Sequence, residues 1–151
     1  MHQLDRDLLF LVNDVARLFR TRFDQRARAQ GMTRAQWVIL ARLNIKPGLS
    51  QGEMASLLEV EPISVGRLID RLEARGLVER RADPTDRRVR RLHVLPAARP
   101  ILDEIAKYRD LLSLEVLDGV DEDEREGLVD ALLRMKNNLT AEPPAKMAVG
   151  E

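Results

Sequence analysis

The sequence predicts a mainly α-helical fold with a small β-hairpin wing. Three observations predict it. Apolar residues recur at spacings of three and four over most of the chain, two short helical stretches are separated by a three-residue turn, and one arginine-flanked segment falls to a period of two. A chain of 151 residues, 44% of them hydrophobic, is long enough for one domain with a buried core.

From Leu4 to about Gln30 the stripe Leu8, Leu11, Val12, Val15, Leu18, Phe19 and Phe23 predicts a long amphipathic helix, ended by Gly31. Thr33 is placed to cap a second helix with Trp37, Leu40, Ala41 and Leu43 inward, stopped by Lys46-Pro47-Gly48. Ser50-Gln51-Gly52-Glu53 reads as a capping box opening a short helix whose inward set is Met54, Leu57 and Leu58. After the turn Glu59-Val60-Glu61, Pro62 suits the first position of a new helix, where a missing N–H is harmless. Val65, Leu68, Ile69 and Leu72 face inward on it, and Gly76 ends it. Two short helices joined this way make a helix-turn-helix.

Leu77–Arg81 and Val89–Val94 read as strands around the turn Asp83-Pro84-Thr85-Asp86. A second long helix runs from Pro96 to about Gly119. A last one starts at Asp121, with acids in its first turn and Leu128, Val129, Leu132, Leu133 and Leu139 as its stripe. Residues 141–151, with Pro143-Pro144, are expected to be a disordered tail.

The composition excludes several chemistries. With no cysteine there is no disulfide, thiolate metal site or thiol nucleophile, and His2 and His93 are the only imidazoles. No metal or other cofactor is expected. The acids at 121–126 lie at a helix start with no partner base, which suits a solvated face better than an active site. An enzyme is therefore not expected. No apolar run spans a bilayer, and Asp5 and Asp7 stand where a signal peptide needs bases, so the expected location is cytoplasmic, with no membrane partner.

Net charge is zero, but it is unevenly distributed. From Arg67 to Arg91 nine arginines face five acids, a net of +4, and from Asp103 to Asp130 eleven acids face three bases, a net of −8. A cationic segment on a neutral chain suits a phosphate-bearing partner, although a solvated face would carry the same charges. On the helix opening at Pro62 the outward set is Pro62, Ser64, Gly66, Arg67 and Arg71. A helix fits the major groove of double-stranded DNA, and arginine pairs bidentately with guanine. Gly66 admits two readings: close approach of the backbone to that partner, or packing against a neighbouring helix. Arg87 and Arg88 at the hairpin tip suit a narrow minor groove, unless Arg88 pairs with Asp86 or Asp83.

Three segments resemble the MarR family, within it most of all its SlyA-like branch. They are Gly31-Met32-Thr33-Arg34-Ala35-Gln36-Trp37-Val38-Ile39-Leu40, then Leu68-Ile69-Asp70-Arg71-Leu72-Glu73-Ala74-Arg75-Gly76-Leu77-Val78, then Asp83-Pro84-Thr85-Asp86-Arg87-Arg88. The resemblance covers about Leu8 to Leu139. It implies a homodimeric transcription regulator that binds pseudo-palindromic operators and is often released by small phenolic or aromatic acids. It also implies that Arg67 contacts base or phosphate and that Arg88 is the minor-groove arginine of the wing. The sequence departs from the family at Leu95-Pro96-Ala97-Ala98, where a capping threonine is usual, so a shifted helix start is expected there.

The division that follows is a helical dimerisation region over 1–32 and 96–140 and a winged helix-turn-helix over 33–95. Leu4, Leu8 and Leu11, with Tyr108, Leu111, Leu112, Leu114, Val116 and Leu117, exceed what a winged helix covers, and a two-fold intermolecular bundle would bury them. The resemblance places effectors between the winged helix and the dimer helices. There Arg17 and Arg20 could hold a carboxylate and Trp37 could supply an apolar wall. The alternative is that Trp37 is core and Arg17 pairs with Asp14 or an acid of a partner chain.

Overall fold

The computed structural model describes residues 3–141. A 3-10 turn at Gln3–Arg6 leads into α1 (Leu8–Ala29), α2 (Arg34–Ile45), α3 (Gln51–Leu58) and α4 (Pro62–Ala74). The hairpin β1 (Val78–Ala82) and β2 (Arg90–Val94) follows, then a 3-10 turn at Pro96–Ala98, α5 (Arg99–Val116) and α6 (Glu122–Thr140). The chain divides into two compact units, Met1–Lys107 and Tyr108–Glu151, with the division inside α5. The tail expected over 141–151 lies, beyond Ala141, outside the described residues, as does His2.

Local chemistry sets the helix ends. α1 starts at Leu8 rather than Leu4 because the Asp7 carboxylate accepts hydrogen bonds from the backbone N–H of Leu9 and Phe10, at 3.0 and 3.1 Å. It closes at Gly31, whose φ of +71° lets Met32 N–H reach back to Ala27 O at 2.9 Å. α4 closes the same way through Gly76, with Leu77 N–H bonded to Leu72 O at 3.0 Å and both leucines buried. Thr33 and Gln36 form a reciprocal capping box at α2, as do Asp121 and Glu124 at α6. At α3 the expected box is only half made. Ser50 Oγ accepts from Glu53 N–H at 3.1 Å, but the Glu53 carboxylate turns away to Arg91. The missing capping threonine before α5 has the expected consequence: the 3-10 turn comes first, and the α-helix begins at Arg99.

The core of the first unit forms around α2. Trp37, Ile39, Leu40 and Leu43 are buried with Met54 of α3, Val65, Ile69 and Leu72 of α4, and Val78 and Leu92 of the hairpin. Burial of side chains this size stabilises by roughly 1.5–3 kcal/mol each. Leu57, expected inward, is exposed, and Ala55 takes the buried position on α3. The strands pair antiparallel with Val78 opposite Val94 and Arg80 opposite Leu92. Along α1 the expected stripe is not core within this chain, since Leu8, Leu11, Val15 and Leu18 are all exposed. In the second unit Leu111, Leu114, Leu128 and Leu133 are exposed, whereas Leu112, counted in the surplus above, is buried. No helix among the described residues is long and apolar enough to cross a membrane.

Candidate nucleic-acid interface

α3, the turn Glu59–Glu61 and α4 form the helix-turn-helix. Glu59 takes the left-handed conformation, with φ +55°, so that Val60 N–H can bond Ala55 O at 3.1 Å. Pro62 occupies the first turn of α4 as expected. Val65, Ile69 and Leu72 face the core, which leaves Pro62, Ser64, Arg67 and Arg71 exposed. Ile63 is exposed beside them, a position the sequence reading missed. Its signal was a break in the inward period: an apolar residue two places before Val65.

The arginines of this segment divide into two groups. Arg80, on β1, is only 20% exposed and clamps the wing to α4. Its Nη2 lies 2.8 Å from Asp70 Oδ1, its Nη1 lies 3.2 Å from Glu73 Oε1, and Nη2 also donates to Gly66 O at 3.1 Å. Arg91, on β2, ties the wing to α3 and to the preceding loop. It donates to Asp83 Oδ2 at 2.8 Å, Glu53 Oε1 at 3.1 Å and Gly48 O at 3.3 Å. Arg81 pairs with Glu79. Arg88 Nε donates to Asp86 Oδ1 at 3.1 Å while the side chain stays 90% exposed.

The five acids between residues 67 and 91 (Asp70, Glu73, Glu79, Asp83 and Asp86) are thus each held by an arginine. Arg67, Arg71, Arg75, Arg87 and Arg90 remain, all exposed and without an ion-pair partner among the described residues. The cationic excess of the segment therefore faces solvent from α4 and the wing rather than being consumed inside the fold. The sequence reading counted Arg80 and Arg91 toward that free excess. Both are structural, because the fold brings β1 beside α4 and β2 beside α3.

The wing tip is ordered by Asp83. Its Oδ1 accepts from the Thr85 hydroxyl at 2.7 Å and from the N–H groups of Thr85 and Asp86 at 2.8 and 3.0 Å. These bonds, the Thr85 hydroxyl foremost and then Arg91, hold the Asp83 carboxyl well below the usual carboxylate range. Arg88 lowers the Asp86 carboxyl in the same way, and Asp83 raises the Arg91 guanidinium.

Of the two readings of Gly66, the structure supplies a neighbouring-helix contact. A Cβ there would stand 2.9 Å from Gln51 Nε2, and that amide bonds Pro62 O at 3.3 Å. Trp37 is 2% exposed, so its ring belongs to the core. Arg17 and Arg20 are exposed on α1, with Arg17 3.5 Å from Asp14. Among the described residues no group of histidines and acids could hold a metal ion.

Residues 30–89 match the model of the MarR family. The chain is similar to the crystal structure of the transcriptional regulator PA3341, at 32% identity and TM-score 0.76, over 85% of this chain and 95% of that one. It is similar to the transcriptional regulator SlyA at 26% identity and TM-score 0.75, over 88% of this chain and 94% of that one. The S. aureus MepR–DNA complex has the same fold at 20% identity and TM-score 0.72, over 90% of this chain and 99% of that one.

Proposed function

The chain belongs to the MarR family of transcriptional regulators, and from that premise we propose that it acts as a homodimer on pseudo-palindromic double-stranded DNA. The observation that carries this reading is the charge division just described: every acid between residues 67 and 91 is held by an arginine, and five arginines of that segment remain exposed. In it α4 enters the major groove, where Arg67 reads a base edge, Pro62, Ser64 and Arg71 line the approach, and Ile63 meets a thymine methyl. Arg87 and Arg88 lie along the flanking minor groove, with Arg88 exchanging its exposed carboxylate for the groove's negative potential.

Residues 33–95 are the DNA-binding region of this reading. Residues 1–32 and 96–140 are its dimerisation region, in which the exposed leucines of α1, α5 and α6 would be covered by a second copy. The match to SlyA supports placing the chain in the SlyA-like branch. We assign it the effector class that goes with that placement, a small aromatic or phenolic acid that releases the DNA. The regulator acts in the cytoplasm.

Selection of bound duplexes from random fragments, with sedimentation of the complex, tests the reading. It expects an inverted repeat with half-sites about one helical turn, near 34 Å, apart and two chains per duplex. A monomer at micromolar concentration, or duplexes recovered without any shared sequence, would refute it.

A further inference from the structure

We propose that Gln51, the first residue of α3, is a positioning residue for sequence readout: it fixes the leading turn of α4 and, through that turn, the aim of Arg67. The assignment rests on the proposed reading that α4 enters the major groove. It adds to that reading a residue on another helix, outside the groove-facing set.

The leading turn of α4 has few other anchors. Glu61 at its N-cap makes no side-chain hydrogen bond to the helix, and Glu61, Pro62, Ile63 and Ser64 are all exposed. Val65 is the first buried residue of α4, and apolar packing is non-directional. A directional tether comes from α3, where the half-buried Gln51 donates from Nε2 to Pro62 O at 3.3 Å. The same amide lies against Gly66, where a Cβ would stand 2.9 Å from Nε2 and 3.6 Å from Cδ. Pro62 and Gly66 are four residues apart and share one face of the helix, so Gln51 spans the first turn from one side. Arg80 Nη2 lies 3.5 Å from Gln51 Oε1, too far for a strong bond, which leaves the bond to Pro62 O as the tether.

Arg67 follows Gly66 directly, so a shift of this turn moves its side chain. Bidentate pairing with a base edge needs its partners held within about 0.5 Å and 10–20°. Contacts to phosphate carry no sequence information and tolerate such a shift through the long arginine stems. Loosening the turn therefore costs discrimination between sequences rather than binding to DNA as such.

The affinities of the full chain for a selected duplex and a random one, across a range of salt, test this with the wild type, Gln51→Met, Arg67→Ala and the double variant. Methionine keeps the unbranched stem and removes the amide. Gln51→Met should reduce the preference for the selected duplex about three- to tenfold, as expected for one lost hydrogen bond. Its affinity for the random duplex, and the salt dependence of that affinity, should stay as in the wild type, which also shows the variant to be folded. In the Arg67→Ala background the same substitution should cost nothing further. Full preference retained in Gln51→Met, an equal loss on both duplexes, or strictly additive losses in the double variant would each overturn the assignment and leave the reading of α4 standing. A wild type that binds both duplexes equally overturns that reading, and the assignment with it.

Discussion

The guanidinium of Arg80 lies 2.8 Å from the carboxylate of Asp70, and the same group reaches Glu73 at 3.2 Å. One residue of the wing thus pairs with both acids of α4, the helix proposed to enter the groove. It also fixes the wing to that helix through Gly66 O. Wing placement and the exposed charge of α4 thus depend on a single side chain.

Replacing Arg80 by methionine keeps the apolar stem and removes the clamp. The loss should be about 1 kcal/mol, discounted from the value for a charged hydrogen bond because Asp70 and Glu73 are exposed. Urea unfolding measures it, and DNA affinity should fall on every sequence alike because two acids are left uncovered. An unchanged midpoint together with unchanged affinity would leave the clamp without a role.

Gly66→Ala sets helix propensity against crowding. Alanine gains about 1 kcal/mol in a helix interior, but its Cβ would push the Gln51 amide from its 3.3 Å bond to Pro62 O. The substitution should be close to neutral alone and stabilising by about 1 kcal/mol when Gln51 is also alanine. Thermal unfolding of the four proteins gives the coupling. Strict additivity would mean that Gln51 does not impose the glycine.

Asp83 makes the wing sensitive to acid. Its carboxyl is held below its unfolded value of about 4, so its contribution is complete above that pH and is lost as pH falls toward the lowered folded value. The stability difference between wild type and Asp83→Asn should therefore be widest near neutrality and shrink on acidification. Unfolding from pH 7 down to pH 2 measures it, and a constant difference would contradict the assignment.

Glu59 holds the turn between α3 and α4 at φ +55°, a conformation that strains a side chain. Glu59→Gly should stabilise by about 0.5–1 kcal/mol, read as a higher urea midpoint. A lower midpoint would show that the Glu59 side chain stabilises the turn.

Most of the fold was legible because local rules decide it. Thr33, Pro62, Gly31, Gly76 and Asp121 each act within four residues, and the structure places them at helix ends as expected. Glu53 was misread because its choice between Ser50 N–H and Arg91 depends on β2, far along the chain. Leu57 failed for the related reason that α3 is short and packs through Ala55. The exposed arginines of α4 were readable from helical phase alone, whereas the structural use of Arg80 and Arg91 needed the hairpin folded back on α3 and α4. Trp37 was read two ways, as a pocket wall or as core, and its burial within the core around α2 accords with the second reading.

The central claim, that α4 reads DNA sequence, is tested most directly by the affinities of the wild type and Arg67→Ala for a selected duplex and a random one at the same salt. The account predicts that the wild type prefers the selected duplex by at least about a thousandfold. Arg67→Ala should lose roughly tenfold to a hundredfold on that duplex and far less on the random one. Equal affinity of the wild type for both duplexes, or an equal loss on both in the variant, would contradict it.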